Sequence, residues 1–289
     1  VTDPAPGPGS HGMRIDEWLG TAVHVVASRQ SRPNLPAGEC PFCPGGLEAL
    51  EPYDVRWFPN RWPPMDGGRC EVVLYTPVHD ATFHSIGTAG VRRVVDLWAE
   101  RTAALLERDD VEHVLVFENR GAEVGATISH PHGQIYAFDH VPERQSRMLA
   151  AGWEPDRSPG DRLVVSAAGW SAYAPHAPVH PVSLCIAPDA QVPDLPALDD
   201  SGRDALSSML VDVFSRLDRL HGRPLPYMMW LNQAPRTAHR DSAWFNIEIV
   251  SPWRAPGVQR YVAAAEVATW EYFNPVPPED TAAALRALA

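Results

Sequence analysis

Two stretches of the chain repeat one order of apolar patterns. The first opens on Glu71-Val72-Val73-Leu74-Tyr75, which predicts a buried strand, and passes through Pro77 to a helix over 88–108. In that helix Val91, Val94, Val95, Trp98 and Leu105 recur at helical spacing, so one face is apolar. A strand over 114–117 follows, then a Gly-rich loop, then a strand that begins at His130-Pro131-His132. The second stretch starts at Val182-Ser183-Leu184-Cys185-Ile186 and passes Pro188 to a helix over 201–220. Leu206, Met209, Leu210, Val213, Phe214 and Leu217 line one of its faces. A strand over 227–231, a polar loop and the strand Trp244-Phe245-Asn246-Ile247-Glu248-Ile249 complete the set. This last strand aligns with His130-Pro131-His132-Gly133-Gln134-Ile135, so the second copy keeps the strand and lacks both histidines. Spacing alone does not separate a duplication from two αβ segments of similar outline.

The 289 residues are 45% hydrophobic, enough for a full core in one large domain or in two halves. Residues 1–12 are rich in Pro and Gly, with neither a basic start nor an apolar run, and are expected to form a disordered tail rather than a signal peptide. Residues 13–150 and 151–289 are then the expected halves, joined by Pro-rich connectors such as 155–160. No apolar run suffices to cross a bilayer, and the chain has only four cysteines, so a cytoplasmic protein is expected. The formal charge of −12 argues against a nucleic-acid surface and against an anionic membrane partner. An anionic substrate must therefore meet a local positive cluster. Lysine is absent, so every fixed cation is arginine. That suits bidentate phosphate contacts, although a GC-rich genome accounts equally for most of the arginines.

Chemistry concentrates in the first stretch. Two histidines separated by one residue in an extended segment point to one side, so one can bind a metal while the other faces substrate. Gly133 would let a phosphate approach the backbone, and Gln134 offers an amide donor to a phosphoryl oxygen. Cys40-Pro41-Phe42-Cys43 has the spacing of a metal knuckle, and by itself also that of a redox pair or of two buried thiols. A second C-x-x-C does not occur, so any further ligands of such a metal would be histidines.

Glu118-Asn119-Arg120-Gly121, followed by Gly125 and by His130-Pro131-His132-Gly133-Gln134, resembles the signature of galactose-1-phosphate uridylyltransferases, the transferase branch of the histidine-triad superfamily. The resemblance spans roughly residues 14–289 and is strongest up to Phe138. It implies an α+β fold made of two histidine-triad-like halves, each a mostly antiparallel sheet with packed helices, and it raises the case for duplication. It also implies a zinc site formed by Cys40, Cys43, His79 and His130, with His84 as a fallback ligand. Four protein ligands would close the site and make it structural. His132 becomes the expected nucleophile, oriented by the motif's own backbone carbonyl, and Gln134 the donor to the non-bridging oxygen where charge develops.

Further contacts follow from the same resemblance. Asn119, Gly125 and Thr127 match the phosphate-contacting loop, although Gly125 and Thr127 read equally well as members of a small polar turn. Arg29 and Arg32 match an R-x-x-R-P element that approaches the nucleotide, often from a partner subunit, and Asn60 with Arg61 match a nucleoside-contacting segment. Arg260, Tyr261 and Glu266 match the hexose-contacting segment. The following Trp270-Glu271-Tyr272-Phe273-Asn274 departs from the family pattern, so the acceptor sugar is left open. Some members carry a second metal on histidines of the C-terminal half. Here the corresponding strands hold none, and a single metal is expected. The activity implied is ping-pong transfer of UMP from UDP-glucose to galactose 1-phosphate or a related sugar 1-phosphate in a homodimer. The alternatives are a nucleotide hydrolase or phosphorylase of the same superfamily, and a non-catalytic nucleotide-binding homologue.

Overall fold

The computed structural model describes residues 12–31 and 39–289. The tail expected over 1–12 lies outside the described residues except for Gly12, which opens the first strand. In chain order the elements are β1 (Gly12–Ile15), β2 (Ala22–Val25), β3 (Arg56–Pro59), β4 (Cys70–Leu74), α1 (Phe83–Leu106), β5 (His113–Arg120), β6 (His132–Phe138) and α2 (Glu143–Ala150). There follow β7 (Leu163–Ala167), β8 (Trp170–Tyr173), β9 (Val182–Pro188), α3 (Asp200–Leu220), β10 (Tyr227–Asn232), β11 (Asn246–Ser251), β12 (Trp253–Ala255), β13 (Val258–Gln259), α4 (Ala264–Thr269) and α5 (Pro278–Arg286). No helix among the described residues is long and apolar enough to cross a membrane.

Nine strands form one sheet in the order β3-β4-β6-β5-β10-β11-β9-β8-β7. Its neighbours all pair antiparallel. The sequence β4-β6-β5 on one side of the centre is mirrored by β10-β11-β9 on the other, so the repeat read from the apolar pattern is present in the topology. The two copies do not keep separate sheets. They merge where β5 meets β10, with Arg120 opposite Tyr227 and Phe117 opposite Trp230. Registers repeat as well: Gln134 stands opposite Phe117 and Val72, and Glu248 opposite Trp230 and Cys185.

Helices α1 and α3 cover one face of the sheet. Val73, Ile135 and Val116 from the first copy and Leu184, Ile249 and Met229 from the second share one core with them. Phe83 of α1 stacks on Phe214 of α3 with ring centroids 4.8 Å apart, which ties the copies together through their helices. Helix α1 starts five residues before the expected position 88. A capping box between Thr82 and Ser85 closes its first turn, and Gly87 at φ 65° breaks the helical path just where the expectation began. The opposite face is covered over the first copy by the segment bearing Cys40 and Cys43, where Phe42 and Ala49 pack on Val72 and Leu74. Strand β4 is thus buried on both faces, which is why its sequence shows no polar alternation; its one charge, Glu71, pairs with Arg101 at 2.8 Å.

Candidate active site and metal centre

The knuckle is shaped by its glycines. Gly46 N–H donates to the Cys43 carbonyl at 2.8 Å, and a Cβ on Gly46 would fall 2.5 Å from the Cys40 carbonyl oxygen, so no side chain fits there. Phe42, 5% exposed, anchors the turn in the apolar cluster above β4. The loop after β4 brings His79 to Cys43, with Nδ1 3.5 Å from Sγ, and the residue two before β6 brings His130, with Nδ1 3.6 Å from the same Sγ. One ligand atom from each of Cys40, Cys43, His79 and His130 lies within 4.8 Å of the others, whereas His84, at the start of α1, stands outside the cluster. A tetrahedral zinc with ordinary Zn–S and Zn–N bonds would set sulfur and nitrogen about 3.5 Å apart. The donor set and its spacing therefore fit a tetrahedral metal ion.

A second layer fixes the ligands. His130 donates its Nε2–H to the Thr76 carbonyl at 2.7 Å, which turns Nδ1 toward the sulfurs. Tyr53 donates its hydroxyl hydrogen to the Phe42 carbonyl at 2.6 Å and reaches the Thr76 carbonyl at 3.0 Å, and its oxygen lies 2.9 Å from His130 Nε2. Burial, and after it the charge of Cys43 and Cys40, holds the Tyr53 hydroxyl above its ordinary range, so it stays a donor. Burial, then Cys40, raises the Cys43 thiol, and burial lowers His130. A bound cation would offset the cost of ionising the thiols.

His132 is the first residue of β6, and it donates its Nδ1–H to the backbone carbonyl of His130 at 2.7 Å. That bond assigns the tautomer and places the ring's lone pair on Nε2. His130 itself lies ahead of the strand, so the two rings are not simply neighbours on one face of a pleat. One ring belongs to the metal cluster, and the carbonyl of the same residue orients the other. Phe42 flanks the His132 ring edge-on at 5.0 Å between centroids, which links the knuckle to His132 a second time.

Gln134 lies on the face of His132, since β6 alternates half-buried and buried positions from His132 onward. Its side-chain oxygen accepts from Asn60 Nδ2 at 3.2 Å and from the Tyr136 hydroxyl at 3.3 Å. Asn60 in turn accepts the Trp62 N–H at 2.8 Å, which fixes its own amide. The Gln134 amide is thereby oriented with its NH₂ group as the donor. Asn119 borders the cavity at His132, and Thr127 borders the groove lined by Cys40, Cys43 and His79. Gly125 caps a short 3-10 turn at φ 83° in open space, a conformation and setting that suit a bare backbone.

A family model described as galactose-1-phosphate uridyl transferase, N-terminal domain, matches residues 63–142, the span that carries His79, His130, His132 and Gln134. A galactose-1-phosphate uridylyltransferase of Thermotoga maritima is 33% identical, with 94% of this chain and 95% of that protein covered. The chain belongs to the galactose-1-phosphate uridylyltransferase family. A relative of the same name from Streptomyces lividans is 36% identical over 77% of this chain and 70% of its own length. In fold, a solved uridylyltransferase structure superposes with a TM-score of 0.88 at 28% identity, covering 96% of this chain and 98% of that one.

Of the other residues expected from this uridylyltransferase family, the three of the C-terminal half lie away from the cavity at His132. Arg260 and Glu266 are an ion pair with side chains only 5% and 3% exposed, and Glu266 also accepts the Ala263 N–H at 2.6 Å and the Phe273 N–H at 2.8 Å. Its carboxylate therefore caps α4, while Tyr261 is 77% exposed. None of the three borders the cavity at His132. Arg61 reaches Glu48 at 3.5 Å, Arg29 sits in a short 3-10 helix, and Arg32 lies outside the described residues. Sequence reasoning missed Tyr53, Thr76 and Tyr136. Only an aromatic near the knuckle hinted at the first, because these residues act through partners far along the chain.

Proposed function

We propose that this protein is a UDP-glucose–hexose-1-phosphate uridylyltransferase that works by a ping-pong mechanism through uridylyl-His132. The observation that carries the reading is the bond from His132 Nδ1–H to the carbonyl of His130, a residue of the metal cluster. In the first half-reaction neutral His132 attacks the α-phosphorus of UDP-glucose through Nε2. The Nε2–P bond forms as the bond to the bridging oxygen breaks, and glucose 1-phosphate leaves. In the second, a phosphate oxygen of galactose 1-phosphate or a related sugar 1-phosphate attacks the same phosphorus and releases His132. Gln134, its amide set by Asn60 and Tyr136, donates to the non-bridging oxygen. Asn119, Gly125 and Thr127 receive the phosphates and Asn60 with Arg61 the nucleoside. Arg29 and Arg32 are assigned to the nucleotide from a partner subunit, and the segment of Arg260, Tyr261 and Glu266 to the sugar, with exposed Tyr261 making the contact and the buried Arg260–Glu266 pair holding the segment.

The metal proposed for Cys40, Cys43, His79 and His130 is a single structural zinc, on the grounds of its two sulfurs, two nitrogens and tetrahedral spacing. When bound, it would fix His130 and hence the carbonyl that aligns His132. A homodimer is part of the reading. Among the described residues the hairpin of β1 and β2 pairs only with itself, and Met13, Ile15, Trp18, Leu19 and Val23 are all exposed, Trp18 at 90%. An isolated two-stranded hairpin is marginal in water, so a partner surface is expected to cover it.

Mixing the protein with UDP-glucose alone tests the mechanism. A burst of glucose 1-phosphate with protein heavier by one uridylyl group is expected, and steady turnover should require a sugar 1-phosphate. Continuous hydrolysis without an acceptor would point to the hydrolase alternative, and binding without covalent labelling to a non-catalytic homologue.

A further inference from the structure

Glu118 sits inside the motif that the sequence placed at the end of a strand, yet β5 runs through it and turns its side chain away from the nucleophile face. The residue is 4% exposed, in the layer between the sheet and the helices. Its Oε1 accepts the Tyr227 hydroxyl at 2.9 Å, and its Oε2 has no hydrogen-bond partner among the described residues. Two more buried polar atoms lack a bond of ordinary geometry, the Tyr75 hydroxyl, which faces Glu118, and the Trp98 indole nitrogen, which faces Tyr75 across rings set edge to face at 5.5 Å. Glu118, Tyr75, Tyr227 and His132 border one cavity of about 30 Å³, room enough for a bridging water.

Tyr75 connects this buried group to the reaction. Its backbone N–H donates to the Pro131 carbonyl at 3.3 Å, one residue before the nucleophile. Its hydroxyl sits against Gly133, one residue after: a Cβ on Gly133 would fall 2.0 Å from that oxygen. Gly133, expected from sequence to admit a phosphate, is thus required for the seating of Tyr75. We propose that Glu118 is a positioning residue for His132, acting through Tyr75, which grips the chain on both sides of the nucleophile. The proposal rests on the uridylyl-transfer reading above and deepens it.

The chemistry depends on the proton. A neutral carboxyl group accepts from Tyr227 on one oxygen and donates from the other, to the Tyr75 oxygen or to a water between them. A carboxylate can only accept. The groups around Glu118 are Tyr227 from β10, Tyr75 beyond β4, the uncharged Trp98 from α1, and Arg120 of its own strand. Arg120 is committed to Asp218 of α3 at 2.9 Å. His130 and His132 border the same cavity. Burial dominates and pushes Glu118 up to about 8, with Asp218 adding to the rise, against the opposing pull of Tyr227, Arg120 and Tyr75. Ionisation would reverse the Tyr75 hydrogen bond, draw the ring from Gly133 and misalign His132.

The test is single-turnover formation of uridylyl-His132 from UDP-glucose across neutral and alkaline pH, for the wild type, Glu118→Gln and Glu118→Leu. Infrared spectroscopy for the C=O band of a protonated carboxyl accompanies it. The wild type is expected to slow with an apparent pKa of about 8 and to lose the infrared band in step. Glu118→Gln keeps a neutral donor and acceptor, so it should lack both the alkaline decline and the band. Glu118→Leu should transfer more slowly by on the order of tenfold to a hundredfold, with KM little changed and with the rate recovered in the Gln variant. Should Glu118→Leu fail to fold, the Gln pH profile and the infrared band decide alone. An unaltered alkaline decline in Glu118→Gln, or no protonated carboxyl in the neutral wild type, overturns the proposal. A wild type that labels at all keeps the transferase reading intact in that event, while a wild type that never labels sinks both.

Discussion

The imidazole of His132 is oriented by the carbonyl of His130, to which its Nδ1–H donates. A neutral ring with a fixed tautomer is what nucleophilic attack on phosphorus requires, and it needs no displaced pKa. Replacing His132 by Gly should abolish covalent labelling and lower kcat by at least about a thousandfold, which rapid-quench assays would measure. Asn60→Ala removes the clamp on the Gln134 amide and a nucleoside contact together, so kcat should fall by about tenfold and KM for UDP-glucose should rise. Glu118 also carries a stability prediction. Below the ordinary carboxyl value of 4.5 both folded and unfolded chains hold the proton, and the site's stability is fully present. As pH rises the unfolded chain ionises first, so that contribution falls toward about 8 and is lost beyond it. Denaturant midpoints for Glu118→Gln should fall less over this window than those of the wild type. At this scale Cys40 and Cys43 stood out by their spacing and the histidine run by residue type, while His79 came only from the family resemblance; the structure gathers Cys40, Cys43, His79 and His130 into one cluster. Tyr53 and the role of Gly133 were not legible, since each depends on an atom brought from a distant segment.

Among elements, the knuckle is the one on which the site leans most. Phe42 touches His132, Tyr53 locks Phe42 to Thr76, and Thr76 holds His130. Removing the metal with a strong chelator, or substituting Cys43→Ser, should therefore cost uridylyl transfer as well as local order. Activity and protease resistance around 39–53 should fall together. Gly133→Ala forces a methyl onto the Tyr75 hydroxyl and should destabilise by about 1–3 kcal/mol, read from urea unfolding. Apolar periodicity located α1, α3 and the inner strands, because those elements share one core. It missed the start of α1, where the Gly87 kink interrupts the helical period. It also stopped β5 short, because the last three residues are Glu118, Asn119 and Arg120. Pairing with Tyr227, Met228 and Met229 of β10 carries these polar residues into the sheet, and local pattern cannot see that pairing.

For the whole molecule, exposed apolar residues group on the β1–β2 hairpin and on the segment with Tyr261, Val267, Trp270, Tyr272 and Phe273, with Leu47, Leu50, Trp57 and Val78 exposed elsewhere. Light scattering coupled to size exclusion is expected to give twice the chain mass, and Trp18→Asp should shift the protein toward monomer and slow uridylyl transfer. The duplication was readable from the order of elements, but the fusion of the copies was not. The seam is made by main-chain bonds between β5 and β10, which no side-chain pattern announces. That seam bears on how the protein comes off the ribosome. A chain synthesised only through the first copy presents β5 as a bare ladder of donors and acceptors, sticky toward any strand nearby. The N-terminal copy expressed alone should accumulate as aggregates that co-expression of the second copy dissolves, because β10 is both half of the architecture and the sheath for the edge that precedes it.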